Sequence, residues 1–256
     1  MIRSGVVFWV GVVLASALPA AAQEAPLLNV LPRPEQVRQL QLRADLKIVR
    51  KRYWEGIELY QQALDLAPRD PVLLNKMGIA YHLLLELKRA KKHYERATKA
   101  DKTYAQAWNN LGAAYYGQKN YKRAVRHYRR AVKGSPAQAA IRSNLGTALF
   151  ARKKYDQAMQ EFRVALLLDP EVFQHRGSFG VFMQDQSVED RARFYFLVAK
   201  SMVTLGYVER CITYLRRALE AGFSPVEAQG DPAFALLRDD VRFQAIFTQQ
   251  SSSLEP

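Results

Sequence analysis

Gly78, Gly112 and Gly146 stand 34 residues apart, and nothing else in the 256-residue chain constrains its fold as tightly. Ala90, Ala124 and Ala158 keep the same step, as do Ala63, Ala97, Ala131 and Ala165, and Tyr60, Tyr94, Tyr128 and Phe162. Tyr53, Tyr121 and Tyr155 fall on one phase with Leu87 filling the gap. Pro68, Pro136 and Pro170 fall on another, with Lys102 as the exception. Four blocks, 37–70, 71–104, 105–138 and 139–172, tile without insertion. A fixed period of this length marks one supersecondary unit that cannot bury its apolar face alone and must stack on its neighbours.

Within each block apolar residues recur at helical spacing in two stretches, such as 107–117 and 121–133. Gly117 and Asn120 are read as the break between them, and Pro136 as the stop to the second helix. A small residue at Gly112, together with Ala124 and Ala131, lets helices approach closely, and Tyr128 fills the space between them.

These positions resemble the tetratricopeptide repeat family, in an exported bacterial form. The third block carries nearly every signature residue: Trp108, Leu111, Gly112, Tyr115, Ala124, Tyr128, Ala131 and Pro136. The fourth carries Leu145, Gly146, Ala158, Phe162, Ala165 and Pro170, with Arg142 where Trp is common. The second has Met77, Gly78, Tyr81, Ala90, Tyr94 and Ala97, and the first is weaker, with Ala44 at the glycine place and Gly56 at an alanine place. The resemblance implies an all-α fold, a right-handed α-solenoid of stacked antiparallel helix pairs.

Residues 173–191 fit no repeat phase and read as an insertion; Ser187 followed by Asp190 is a capping pattern that predicts a helix from about Val188. The stretch 192–225 reads as a degenerate fifth repeat, with Ala199 at the glycine place, Cys211 and Ala218 at the alanine places and Leu215 at the aromatic place. Cys211, the single cysteine, is expected as a small buried residue at a helix contact. Residues 226–256 are read as closing helices and a tail. Asp231-Pro232 opens one through Leu237, and Asp239 or Asp240 caps a last one carrying Phe243, Ile246 and Phe247.

At the other end, Arg3, an apolar centre and Ala20-Ala21-Ala22 are the three parts of a secretory signal peptide over 1–22, predicted to be cut after Ala22, with 23–36 as a linker. No transmembrane span is expected in the mature form, and the expected location is periplasmic or secreted. With one cysteine, no intramolecular disulfide can form there.

Charge is concentrated. The net +14 belongs to 37–172, with 27 basic and 12 acidic residues, while 173–256 hold 9 and 10. No phosphate-binding loop, metal-binding helix motif, Cys-x-x-Cys or nucleophile elbow occurs, so the sequence offers no catalytic constellation, no cofactor site and no metal site. His93 and His127 share a repeat position, but two such ligands without converging carboxylates or Cys make a poor site, and a structural role is expected. An enzyme built on the 173–191 segment would have only His175 and Asp185 to offer.

Two interaction surfaces remain. The resemblance implies a concave groove built from the first helix of each repeat, lined by Asn75, Ile79 and His82, then Asn109, Asn110, Ala113 and Tyr116, then Ser143, Asn144, Thr147 and Phe150. Asn amides donate and accept at once and suit the main chain of an extended peptide. Asn110 and Asn144 equally fit as consensus residues bonding neighbouring helices, and both readings stand at this point. The Lys/Arg pattern with which family members clamp a terminal carboxylate is absent, since the third-repeat groove carries Asn and Gln106.

The second surface is a basic outer face: Lys88, Lys91 and Lys92 in one second helix, and Arg126, Arg129 and Arg130 in the next. Few acids accompany it, and like charges four apart repel by a few tenths of a kcal/mol each, about the gain an anionic partner would release. The sequence therefore predicts a non-catalytic scaffold of the cell envelope that holds an extended segment or helix of a partner protein. The alternative is a binder of polyanions or of an anionic membrane or cell-wall surface; export makes nucleic acid the less natural ligand.

Overall fold

A computed structural model describes residues 31–174 and 187–251; the predicted signal peptide, His175 and Asp185 lie outside the described residues. The chain divides into two compact units, 1–68 and 69–256. All regular structure among the described residues is helical, in consecutive pairs packed side by side, which is the α-solenoid class.

The first unit holds α1 (Arg33–Val49) and α2 (Tyr53–Leu66). Helix α1 begins inside the stretch read as a linker, because a proline at the first helical positions suits a helix start. Tyr60 donates to Asp45, and Lys47 meets Glu55 at 2.9 Å. The swap of small residues noted in the sequence has a steric cause. A Cβ on Gly56 would lie 2.6 Å from Ile48 Cδ1, so this pair needs its glycine on the second helix, and Ala44 fits on the first without exposure.

The second unit continues with α3 (Pro71–Leu83) and α4 (Leu87–Ala100), α5 (Ala105–Gly117) and α6 (Tyr121–Gly134), and α7 (Ala139–Ala151) and α8 (Tyr155–Leu168). A further pair follows, α9 (Val188–Val203) and α10 (Val208–Glu220). Each second helix also packs on the next first helix, α4 on α5, α6 on α7 and α8 on α9, so one core runs from Ala90 of α4 to Phe247 near the end of the unit. Inside a pair the glycine meets the aromatic ring of the second helix: a Cβ on Gly112 would sit 2.7 Å from Tyr128 Cδ1, and one on Gly78 would sit 2.5 Å from Tyr94 Cε1. Where Leu215 replaces the ring, Ala199 replaces the glycine, and both are fully buried.

The turns correct one detail. Gly117 ends α5 with open space around it, and the reversal is made instead by Lys119 at φ +58°. Lys51, Leu85 and Lys153 occupy the same place with φ of 58–62°, and Gly206 does so in the last pair. A left-handed backbone on a non-glycine residue costs about 1–2 kcal/mol, so packing on both sides of the turn must hold it.

Phe173, read as part of an insertion, belongs to the core. Its ring lies 5.3 Å from Phe162 and 6.2 Å from Phe194 in edge contacts. The start of α9 is fixed by Ser187, whose Oγ accepts from Asp190 N at 3.0 Å. After α10 comes α11 (Pro225–Gly230), a helix outside the expectations, for which Ser224 as cap and Pro225 as first residue are the signal. A 3₁₀ turn over Pro232–Leu237 is capped by Asp231, and α12 (Val241–Ser251) begins where Asp240 accepts from Arg242 N at 2.8 Å. Phe234 and Phe243 seal this end, and Lys200 ties it to α9 through Asp231 at 2.7 Å. Cys211 has no exposed surface, and burial pushes its thiol up to about 12.

Candidate functional site

The predicted groove positions separate into two sets. Tyr116, Phe150, Ser143, Thr147 and Asn75 are buried. Tyr116 and Phe150 end their helices and fold over the turn onto the residues that open the next ones, at 5.1 Å from Tyr121 and 5.4 Å from Tyr155. Phe150 also touches Phe194 of α9. The Ser143 and Thr147 hydroxyls turn back on their own helix, donating to Ala140 O and Ser143 O at 3.0 and 2.9 Å.

Ile79, exposed, and His82, Asn109, Asn110, Ala113 and Asn144, half-buried, stay at the surface. Burial holds the His82 imidazole below its ordinary pKa. The asparagines form a ladder across three first helices. Asn144 Nδ2 donates to Asn109 Oδ1 at 2.9 Å, Asn109 Nδ2 to Asn110 Oδ1 at 3.4 Å, and Asn110 Nδ2 to Asn75 Oδ1 at 2.9 Å. Each half-buried amide keeps a second N–H and a second lone pair.

The basic face is not uniformly turned to solvent. Lys88, Lys92, Arg126, Arg129 and Arg130 are exposed, but Lys91 is half-buried with its Nζ 5.3 Å from the centre of the Tyr115 ring. Arg130 lies over Trp108 at 4.6 Å and Arg123 over Tyr115 at 5.4 Å, contacts that fix a cation without neutralising it. Arg129 donates to Gln157 at 3.1 Å.

Beneath these cations lies a cleft of about 820 Å³ between α4 and α6, floored by Trp108, Leu111 and Tyr115 of α5. Lys99 of α4, Lys102 of the following turn, and Arg126, Arg130 and Lys133 of α6 line it, with Glu95 as the one carboxylate in its wall. His127 forms part of that wall, nine-tenths buried and stacked on both rings, 5.6 Å from Trp108 and 5.1 Å from Tyr115. Neither of its ring nitrogens has a hydrogen-bond partner among the described residues. Burial first, and then Arg126, Arg130 and Arg123, hold its pKa down to about 4. No repeat signature marks this cleft, and the structural role expected of His127 does not anticipate a place in its wall.

The next repeat fills the equivalent place differently. Trp108 Nε1 donates to Lys102 O at 2.8 Å; one period on, Arg142 Nε donates to Pro136 O at 3.2 Å. Glu161 stands where His127 would recur and takes Arg142 Nη1 at 2.9 Å. The fourth repeat closes on itself, and the third does not. Among the described residues no three His, Cys, Asp or Glu side chains gather as a metal-binding group, and no helix is long and apolar enough to cross a membrane.

Two family models, both described as tetratricopeptide repeat, match residues 85–139 and 115–175. Together they cover residues 85–175, and in that stretch tetratricopeptide repeats are detected. Such repeats generally mediate protein–protein interaction and are generally non-catalytic. Among solved structures, pilF of Pseudomonas aeruginosa superposes with a TM-score of 0.55 at 18% identity, over 87% of this chain and 93% of that one. MamA of Desulfovibrio magneticus RS-1 gives 0.52 at 18%, over 72% and 94%. At these identities the likeness shows the fold alone. A curated relative, the heat-shock protein cognate co-chaperone sgt12 of Aspergillus fumigatus, is 35% identical over 78 residues, 30% of this chain and 23% of the relative. The match therefore spans less than a quarter of that protein's length.

Proposed function

We propose that the protein is a non-catalytic adaptor that holds an extended segment of a partner protein along the first-helix face of α3, α5 and α7. The asparagine ladder carries this reading. Its internal bonds immobilise Asn109, Asn110 and Asn144 in advance, so a peptide main chain meets donors and acceptors whose ordering entropy is already spent. On the same first helices Ile79 is exposed and Ala113 and His82 are half-buried, so they are open to a partner.

A photo-crosslinking amino acid at Ile79 or Ala113 in living cells tests it. The expected result is a discrete adduct with one partner from both positions and none from the exposed Arg163 on α8. Equal adduct patterns from all three positions, or none from the first two, overturn the reading.

We also propose an exported adaptor, on the strength of the basic, apolar and small-residue order of residues 1–22. A mature chain beginning at Gln23 by mass spectrometry supports export, and a chain retaining residues 1–22 in the cytoplasm overturns it.

A further inference from the structure

The cleft of the second unit holds five cations against one carboxylate. Arg130 lies over an aromatic face and Lys99 makes no ion pair among the described residues, so their charge is left available. The wall contains an imidazole whose nitrogens lack partners, and a buried polar group without a hydrogen bond carries a cost that a ligand can recover. The next repeat shows what the place accepts, because there a carboxylate, Glu161, stands at the histidine position and is held by a guanidinium. Trp108 and Tyr115 are both more than nine-tenths buried, so a nucleobase finds no open ring face on which to stack.

We propose that the cleft between α4 and α6 binds an acidic peptide segment of a partner protein, its carboxylates taken by Lys99, Arg126 and Arg130 and one of them accepting from the His127 ring. The site uses the second helices and is separate from the first-helix face. Two partner segments, or two parts of one, can therefore be held at once.

His127 also links binding to protons. It shares the cleft with Glu95 and Lys99 from α4, Lys102 from the turn, Tyr115 from α5, and Arg126, Arg130 and Lys133 from its own helix, on which Arg123 also acts on it. A carboxylate entering this field of cations favours the imidazolium, so binding takes up a proton and tightens as pH falls.

The test uses the purified full-length mature chain and a fluorescein-labelled decapeptide of Asp, Glu and Leu, with its Asn/Gln/Leu counterpart, read by anisotropy. The acidic peptide should bind and the neutral one should not. R126E/R130E should weaken binding by about 30-fold, whereas K122E/K154E, an equal charge change outside the cleft, should alter it less than about twofold. R126Q/R130Q should give the same ranking with a smaller loss, and circular dichroism melts confirm that each variant is folded. Binding at pH 5.5 should be about threefold tighter than at pH 7.5, and His127→Phe, which keeps the stacking, should abolish that difference.

Equal losses from the two charge-reversal pairs, no binding of the acidic peptide, or its displacement by millimolar inorganic phosphate or by phosphatidylglycerol vesicles would overturn the proposal in favour of a diffuse or lipid-directed anion surface. An unchanged pH dependence in His127→Phe overturns the part given to His127. Crosslinks from Ile79 should survive R126E/R130E, so the two sites fail separately.

Discussion

Two successive repeats solve one packing problem in opposite ways. In the third, Trp108 and His127 stack beside a cleft and the two His127 ring nitrogens stay unpaired; in the fourth, Arg142 and Glu161 occupy the same two places and neutralise each other. Both repeats keep the bond to a backbone carbonyl in the turn after the preceding second helix. The scaffold therefore needs that donor and tolerates either side chain carrying it. What differs is whether the remaining chemistry is spent internally or left open, and that difference separates a binding surface from a wall.

The largest expected contrast comes from truncation. Trp108→Ala removes a buried ring from the core and should cost about 3–5 kcal/mol in urea unfolding, whereas Arg142→Ala should cost about 1–2 kcal/mol, chiefly by stranding the partly buried Glu161. Equal costs would mean that the two places are not equivalent in packing.

A second contrast lies in acid. The His127 pKa is lowered from its ordinary 6.5 to about 4, so the unfolded chain binds the extra proton first. Stability from this group is complete above pH 6.5 and is lost as pH falls towards 4, by about 2–3 kcal/mol. His127→Phe should remove that acid limb in melts taken from pH 7 to 4; a limb that persists unchanged assigns it to other groups.

The smallest effect should be the same in both repeats and so serves as a control. Lys119→Gly and Lys153→Gly relieve a left-handed backbone in equivalent turns and should each stabilise by up to about 1 kcal/mol, after the greater entropy of glycine in the unfolded chain is allowed for. If one gains and the other loses, the two turns are not held alike.

Much of this was legible in the sequence. The recurrence of the Gly112 and Tyr128 places, each every 34 residues, encodes a small residue facing a ring, and the structure shows that contact. The cap at Ser187 was equally readable, since capping acts over three residues. The packing of Phe173 on Phe162 and Phe194 was not legible, because it comes from outside the repeat phase. On the candidate surface, resemblance assigned a helix face but not depth. Tyr116 and Phe150 share the predicted face and are nonetheless covered, because a side chain at a helix end reaches the residue that opens its neighbour. The cleft had a faint signal, the joint change from Trp108 and His127 to Arg142 and Glu161 at constant spacing, which gains meaning only once the two positions are known to touch.

The chain by itself determined helix pairs, their period and the interlocking of small and aromatic residues, because those complements recur locally and leave little room for another arrangement. Tertiary structure decided which polar groups are spent and which remain open. That outcome depends on contacts between side chains 19 residues apart, as in Arg142 and Glu161, or 35 apart, as in Asn144 and Asn109. At such separations a hydrogen bond forms or fails within a few tenths of an ångström, a distance that no pattern of residue types encodes.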